Sequence, residues 1–155
     1  MNLKTIENMI SDYHWMIREV DRLEQVLWGA WGFNQKNEGV SQYGLASVMP
    51  NGSPGKSQAE LDAMDRQDRK RYERYMRFKR MTSAVEHDIE LLDDDFLRTI
   101  YDCMMEGMSY RAIGMHLGIA RRTLYNKKDT ILHTLHTLDQ SSQIIHFLQS
   151  QKNAV

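Results

Sequence analysis

The chain is poor in residues that cross-link or interrupt a protein: it has one cysteine, Cys103, and two prolines, Pro50 and Pro54. A single cysteine cannot form an internal disulfide, so we expect a reducing cytoplasm and a role for Cys103 as a small core residue. No apolar run approaches the roughly eighteen residues that a membrane helix needs. The amino terminus also lacks the basic start and apolar core of a secretory signal, so we expect a soluble intracellular protein.

Motifs of the common enzyme classes are missing as well. The sequence contains no GxxxxGKS or GxxxxGKT, no HExxH and no GxSxG. His133 and His136 are spaced i, i+3 but have no third metal ligand in view. The three aspartates at 93–95 point in different directions if a helix starts there, which favours capping over magnesium binding. We therefore expect no catalysis, no metal and no other cofactor.

Charge of one sign does not dominate, because the net charge is −1. Its distribution is uneven, however. Residues 65–80 hold eight lysines and arginines against three acids, whereas residues 86–95 hold six acids and no lysine or arginine. Residues 107–138 are basic again, with Asp129 as the one acid opposing five lysines and arginines. A neutral total therefore hides two basic segments separated by an acidic one.

The basic run RQDRKRYERYMRFKR, residues 66–80, would place its charges around most of a helix. Tyr72, Tyr75 and Phe78 are then the residues left for burial. A solvated surface is the default for such a run. A second phosphate-contacting surface is the alternative.

Proline and glycine divide the chain. Both prolines and four of the nine glycines lie in GVSQYGLASVMPNGSPGKS, residues 39–57, which no helix should cross. We predict a mobile loop at about 34–57. Helical periodicity predicts one helix at about 3–28 and a second at about 58–92. Together they form region 1–92, a long helical hairpin that is a candidate for oligomerisation.

Both predicted helices carry a narrow apolar seam with alternating spacings of three and four. The seams comprise Tyr13, Met16, Val20, Leu23 and Leu27 in the first helix, and Tyr75, Phe78, Thr82, Val85, Ile89 and Leu92 in the second. Such seams are typical of an antiparallel hairpin or a dimerising coiled coil, and packing of each helix on a globular part is equally compatible with them. We expect Trp15, Trp28 and Trp31 to be core or hairpin anchors.

Capping signals divide the residues after 92 into short helices. The aspartates at 93–95 and Gly107 bound the first helix. Ser109 is expected to cap a helix at 110–117, Gly118 to form a left-handed turn, and the next helix to start near Arg121. A last helix is predicted at about 141–151. The expected buried positions are Phe96, Leu97, Ile100, Tyr101, Met104, Leu124, Ile131, Leu135, Ile144, Ile145 and Leu148.

The order of residues at 107–131 is that of a helix-turn-helix. A small residue, Ala112, is expected where the second helix crosses the first, and Gly118 provides the turn. Ile113, Leu117, Ile119 and Leu124 are expected to face the core. We predict an all-α fold: the hairpin 1–92, a helix-turn-helix DNA-binding domain at 93–138, and a C-terminal helix and tail at 139–155.

The residues left to face outward are polar and largely basic. Arginine at the amino end of the second helix is suited to guanine, asparagine is suited to adenine, and lysine neutralises phosphates. A helix hairpin with a merely solvated charged face is the plain alternative. The candidate DNA-binding residues are Ser109, Arg111, Arg121, Arg122, Thr123, Tyr125, Asn126, Lys127 and Lys128.

The segment MMEGMSYRAIGMHLGIARRTLYNKKDTIL resembles the fourth-region helix-turn-helix of sigma factors and of small phage activators related to them. MISDYHWMIREVDRLE and SQYGLASVMPNGSPGKS extend the likeness outside that motif. In this order, the three segments resemble the RinA-like and ArpU-like late transcriptional regulators of phages of Gram-positive bacteria. The resemblance covers roughly residues 9–138. Ala120 stands where the family pattern usually has serine or threonine, which removes a helix cap worth about 1 kcal/mol.

The resemblance implies an activator of late phage genes that binds promoter DNA in the cytoplasm of a bacterial host cell. Double-stranded DNA is then the main partner, RNA polymerase is a second candidate partner, and a homodimer is favoured because it doubles the DNA site. Two other classes fit the sequence. One is a phage small terminase subunit, which packages DNA, and the other is a protein-binding module acting on RNA polymerase or a host factor.

Overall fold

The computed structural model describes residues 2–37, 58–59 and 65–154, with side chains of residues 30–37 outside that description. The described part of the chain is helical and contains no strand, which confirms the all-α fold. Besides two helical residues at 58–59, it comprises α1 (Leu3–Asn37), α2 (Arg66–Asp88), a 3-10 turn (Ile89–Leu91), α3 (Asp95–Met105), α4 (Tyr110–Leu117), α5 (Arg121–Thr137) and α6 (Gln143–Asn153).

The chain divides into two compact units. The first combines residues 1–18 with residues 78–155, and the second comprises residues 19–77. The sequence predicts a boundary between the hairpin and the helix-turn-helix at residues 92 and 93. That boundary lies inside the first unit. The first turns of α1 carry Ile6 and Ile10, which are fully buried in this unit.

In each unit, α1 and α2 contact one another as an antiparallel pair. In the first unit, the Tyr13 hydroxyl donates to Glu86 at 2.6 Å and Trp15 packs edge-on against Phe78 at 5.4 Å. In the second unit, Trp28 lies between Tyr72 and Tyr75, at ring-centroid distances of 6.2 and 5.1 Å. Trp15 and Trp28 are thus hairpin anchors, although Trp15 is 41% exposed, and the side chain of Trp31 lies outside the described residues.

The apolar seams of the hairpin are core of a single chain. Met16 and Val85 are fully buried in the first unit, and Val20, Leu23 and Tyr75 are buried in the second. A face that is already covered within one chain is not available to another chain. The structure therefore contradicts the alternative of a coiled coil that dimerises through these seams.

The three aromatic residues of the basic run at 66–80 are buried, as the sequence predicted. Tyr72, Tyr75 and Phe78 face the interior, and one cation of the run is paired within the same helix. Arg71 donates to Asp68 at 3.0 Å. Lys79 and Arg80, at the end of the run, are exposed.

Two predicted boundaries in the amino-terminal half need adjustment. The first helix continues to Asn37, beyond the predicted end at 28 and through the first residues of the predicted loop at 34–57. Residues 38–57 of that loop lie outside the described residues. Of the predicted second helix, residues 60–64 lie outside the described residues, and the α-helical part ends at Asp88 and passes into the 3-10 turn.

The carboxyl half follows its capping signals closely. The Asp94 side chain accepts from the Phe96 amide at 2.8 Å and starts α3, and Gly107 follows its end with a φ of 77°. The expected inner residues of α3, α5 and α6 are buried, apart from Phe96 and Leu148, which are half-buried. Cys103 is a buried core residue as predicted, and burial raises the pKa of its thiol.

A buried carboxylate joins α2 to α6. The Asp88 side chain is fully buried and accepts from the Ser142 hydroxyl at 2.5 Å and from the Gln143 and Ile144 amides at 2.7 and 3.2 Å. It therefore satisfies amide groups that are left free at the start of a helix. Ser142 is the N-cap of α6, so both groups hold the first turn of that helix against the end of α2.

Candidate nucleic-acid interface

α4 and α5 form the helix-turn-helix that the sequence predicted. The Ser109 hydroxyl accepts from the Ala112 amide at 3.1 Å and caps α4, which begins at Tyr110. Gly118 adopts the left-handed conformation, with φ of 65° and ψ of 32°, which side-chain-bearing residues rarely adopt. Three residues later α5 begins at Arg121, so the sequence predicted both helix starts and the turn correctly.

Gly114, two residues after the predicted Ala112, is a small residue at the crossing of α4 with the turn and α5. A Cβ added at residue 114 would lie 3.3 Å from the Ile119 carbonyl oxygen and 3.9 Å from the Leu124 side chain. The backbone of α4 thus approaches the turn and α5 at this position. Ala112 and Gly114 are both half-buried, on either side of the fully buried Ile113. Of the other predicted core residues here, Leu124 is fully buried, and Leu117 and Ile119 are half-buried.

The first turn of α5 is exposed and basic. Arg121, Arg122 and Thr123 face solvent, and so does Asn126, one turn further along. On α4, Ser109 and Arg111 are exposed on its first turn. No ion pair within the described part of the chain involves Arg111, Arg121 or Arg122, so their charges are not neutralised there.

Tyr125 supports this surface from beneath. Its half-buried ring packs against Tyr110 at a centroid distance of 5.4 Å, and the Arg121 guanidinium lies 5.4 Å from its centroid. A guanidinium over an aromatic face is attracted by the ring quadrupole. Tyr125 therefore orients Arg121, whereas no ring contact is seen for Arg122 in the described residues.

Lys128 does not face outward as predicted. Its side chain is only 12% exposed, and its ammonium lies 3.6 Å from the Glu7 carboxylate and 3.6 Å from the Asp129 carboxylate. The same ammonium lies 5.4 and 5.0 Å from the ring centroids of Tyr110 and Tyr125. A lysine enclosed in this way is not available to a phosphate, so Lys128 is removed from the set of candidate DNA contacts.

Lys127 is also less available than the sequence indicated. The residue is half-buried, and its ammonium lies 6.0 Å from the centroid of the Phe96 ring on α3. Part of its stem therefore covers apolar surface, as is common for long basic side chains. The exposed candidate residues are Ser109, Arg111, Arg121, Arg122, Thr123 and Asn126.

Glu7 is the residue of this region that the sequence did not single out. It is 6% exposed on α1 and accepts from the Tyr110 hydroxyl at 2.5 Å, while the Lys4 ammonium lies 3.2 Å away. Burial acts to raise the pKa of Glu7, but the Tyr110 hydrogen bond and the charges of Lys4 and Lys128 outweigh it and lower that pKa. Burial and the bond to Glu7 raise the pKa of Tyr110. One carboxylate of α1 thus holds both helices of the helix-turn-helix.

Metal-ligating side chains do not cluster in the described residues: no group of three or more histidines, cysteines, aspartates or glutamates could hold an ion there. His133 and His136 are both exposed on α5. None of the described helices is long and apolar enough to cross a membrane.

Comparison with known proteins identifies a family but no activity. No family model matches the sequence, and no solved structure matches it. Uncharacterized protein YqaQ of Bacillus subtilis (strain 168) is 50% identical over 135 residues, which cover 87% of this chain and 89% of YqaQ. The chain belongs to the YqaQ family. The match takes in most of both proteins and is therefore not confined to the helix-turn-helix. The name YqaQ states no activity, so the function has to be argued from the interface.

Proposed function

We propose that this chain is a sequence-specific transcriptional regulator that reads double-stranded DNA with α5. The observation that carries the proposal is the pair Arg121 and Arg122, exposed and without an ion pair among the described residues. They occupy the first turn of the second helix of a helix-turn-helix, the part of the motif that enters a major groove. There a guanidinium is suited to two hydrogen bonds with one guanine, and Asn126 is suited to adenine.

The surroundings of the two arginines support the same proposal. Arg111 and Ser109 at the start of α4, and Thr123 on α5, are exposed groups of the kind that contact phosphates and fix the register on the duplex. Glu7 lies behind this surface rather than on it, and Lys128 neutralises its charge. The Glu7 carboxylate is therefore not expected to repel the DNA backbone.

The biological setting comes from the resemblance to late phage regulators. It makes promoters of late phage genes the candidate targets, activation the candidate effect and RNA polymerase a candidate second partner. The protein acts by binding and not by catalysis. A homodimer would present two such reading heads and double the length of DNA read.

The decisive experiment selects bound sequences from a random DNA pool with the wild-type chain and with Arg121→Ala/Arg122→Ala. We expect the wild type to enrich one motif and the double variant to lose it. Arg122→Ala alone should weaken binding by about 1–3 kcal/mol and relax the preference at one base position. A folded double variant with unchanged affinity and preference would show that the proposal is wrong.

Three controls separate reading, phosphate contact and stability. Arg111→Ala should weaken all sequences alike and make the salt dependence shallower by about one unit. Lys128→Ala should leave the salt dependence unchanged and lower the stability instead, because its charge faces Glu7. Leu124→Ala should cost about 2–5 kcal/mol of stability without changing the base preference.

A further inference from the structure

A surface on the far end of α2 carries charges of both signs in separate halves. Lys79 and Arg80 form its basic half, and Glu90 and Asp93 form its acidic half just beyond the end of the helix. All four side chains are exposed, with that of Glu90 at 74%. We call these four residues, together with Ser83 and His87 between them, the α2 patch.

The basic half of the α2 patch is not neutralised within the described part of the chain. Neither Lys79 nor Arg80 forms an ion pair with any described acid, in contrast to Arg71 earlier in the same helix, which is paired with Asp68. In the acidic half, Glu90 has only a long contact with Arg98, at 3.9 Å. The basic half therefore faces solvent without a counter-charge from the described residues, and Arg98 compensates the acidic half only in part.

A shallow groove runs beside the basic half and His87. One wall is α2, with Lys79, Arg80, Ser83 and His87, and the other wall is α6, where Phe147 is half-buried. The Asp88 carboxylate fixes the first turn of α6 to the end of α2, so the groove exists before anything enters it. Its outline suits the ridge of side chains on another helix.

The order of the charges suits two copies related by a two-fold axis. In such a contact, a surface meets itself, so each charged group needs its opposite on the same surface. Arg80 and Glu90 are ten residues apart, and α2 with the 3-10 turn that follows it separates them by roughly 15 Å along the axis. If two α2 helices lie antiparallel with the axis near residue 85, the basic half of each copy faces the acidic half of the other. Ser83 of one copy then faces His87 of the other.

We propose that the α2 patch is a self-association surface, which pairs with the α2 patch of a second copy of this chain in a symmetric dimer. The ridge of each α2 enters the groove between α2 and α6 of its partner, and Phe147 is covered there. Because exposed ion pairs contribute little each, the dimer is weak and sensitive to salt. This proposal does not depend on DNA binding.

Charge reversal tests the proposal on the full chain. The mass in solution is measured by sedimentation at low and high ionic strength for the wild type, for Lys79→Glu/Arg80→Glu, and for Glu90→Lys/Asp93→Lys. We expect the wild type to reach twice the chain mass of 18.2 kDa at low salt and to dissociate at high salt. Each reversed variant alone should associate at least about tenfold more weakly, because both of its contacts become repulsive.

Mixing the two reversed variants is the stringent part of the test. In the mixed pair, the reversed basic half of one variant faces the reversed acidic half of the other, and the two native halves face each other in the second contact. In the first contact the signs are exchanged and attractive, and in the second they are the native ones. We therefore expect the mixture to recover the dimer.

Arg66→Glu/Lys70→Glu, with the same charge change on α2 outside the patch, is the matched control and should dimerise like the wild type. Circular dichroism checks that each variant is folded.

Several outcomes would overturn the proposal. They are a wild type that keeps the mass of one chain at low salt, a reversed variant that still dimerises, and a mixture that does not recover the dimer. If the wild type is monomeric and Lys79→Glu/Arg80→Glu weakens DNA binding, the basic half contacts phosphates instead. Loss of sequence selectivity in Arg121→Ala/Arg122→Ala, by contrast, has no bearing on self-association.

Discussion

The Asp88 carboxylate is a buried charge whose partners are all hydrogen-bond donors. Ser142, Gln143 and Ile144 direct a hydroxyl and two amides at its oxygens, and His87 lies 3.3 Å away. Hydrogen bonds to a charged acceptor are stronger than those between neutral groups. Negative charge is also favourable at the amino end of a helix, here α6. Loss of the Asp88 carboxylate should therefore weaken the attachment of α6 to α2.

We predict that Asp88→Asn lowers the free energy of unfolding by about 2–3 kcal/mol, because an amide group then faces donors that need an acceptor. Chemical denaturation followed by circular dichroism measures the change. Asp93→Asn, an exposed aspartate close by, is the matched control and should change stability by less than about 0.5 kcal/mol. Equal stability of the two variants would contradict the role given to Asp88.

At the scale of a helix, α5 has an unusual start. Its N-cap, Ala120, has the extended backbone of a cap residue, with φ of −66° and ψ of 149°, but it has no side chain that accepts a hydrogen bond. α4 and α6, by contrast, begin with the serines Ser109 and Ser142, whose hydroxyls accept from amides. α5 is thus the one helix of these three that lacks a side-chain cap.

Ala120→Ser should supply the missing cap. The backbone already has the required conformation, so we expect a gain of about 0.5–1 kcal/mol in the free energy of unfolding. Thermal and chemical denaturation measure it, and amide exchange of the first turn of α5 should slow. Ala120→Val, which adds bulk without a suitable acceptor, is the control. No stabilisation by serine would mean that the first turn of α5 is not limited by its cap.

Local chemistry explains why the bounds of the helix-turn-helix were predictable. A serine cap, a left-handed glycine and the start of the next helix depend on neighbouring residues, so Ser109, Gly118 and Arg121 could be read from the sequence. The small residue at the crossing was harder to locate, since both Ala112 and Gly114 are small. The close approach of the α4 backbone at Gly114 to the Ile119 carbonyl identifies Gly114 as a residue of the crossing, and it depends on the path of the turn.

The burial of Lys128 could not be read from the sequence for a different reason. On a helical projection it lies on a polar face, and only the position of Glu7 on α1 encloses it. The buried role of Asp88 has the same origin, because Ser142 lies 54 residues away in the chain. The exposed arginines, which need no distant partner, were placed correctly. Periodicity reports which side of a helix is apolar, but not which distant side chain covers its polar side.

Within the first unit, Glu7 connects α1 to both helices of the helix-turn-helix and makes stability depend on pH. Its pKa is below the ordinary value of 4.5, so the unfolded chain binds a proton more readily than the folded chain. The contribution is present in full above the ordinary pKa and is lost as the pH falls through the lowered pKa. We predict that Glu7→Gln lowers stability at neutral pH and flattens the acid limb of the stability curve.

Denaturant titrations at a series of pH values measure this effect. Asp12→Asn is the control, because Asp12 is an exposed acid on the same helix. Tyr110→Phe should act in the same direction as Glu7→Gln, since it removes the hydrogen bond at 2.5 Å. An acid limb that is equally steep in Glu7→Gln and in the wild type would contradict the assignment.

The first unit also determines which fragments can fold. A fragment of residues 93–155 contains the whole helix-turn-helix but lacks Ile6, Ile10 and Met16 of α1 and Val85 of α2, all of them buried. We expect this fragment to have little helical structure and no cooperative thermal transition by circular dichroism, whereas the full chain should have one. A fragment that melts cooperatively at the temperature of the full chain would show that α1 is dispensable.

The long sequence separation between Glu7 and its partner Tyr110 affects the order in which the protein becomes structured during synthesis. Glu7 and Tyr110 are 103 residues apart, and the first unit that buries Ile6 and Ile10 consists mostly of residues 78–155. Closing so long a loop costs entropy before any contact offsets it, and distant contacts slow folding. We therefore expect Ile6 and Ile10 to stay uncovered during synthesis until most of the helix-turn-helix has been translated. During that interval the start of α1 should be accessible to chaperones and proteases.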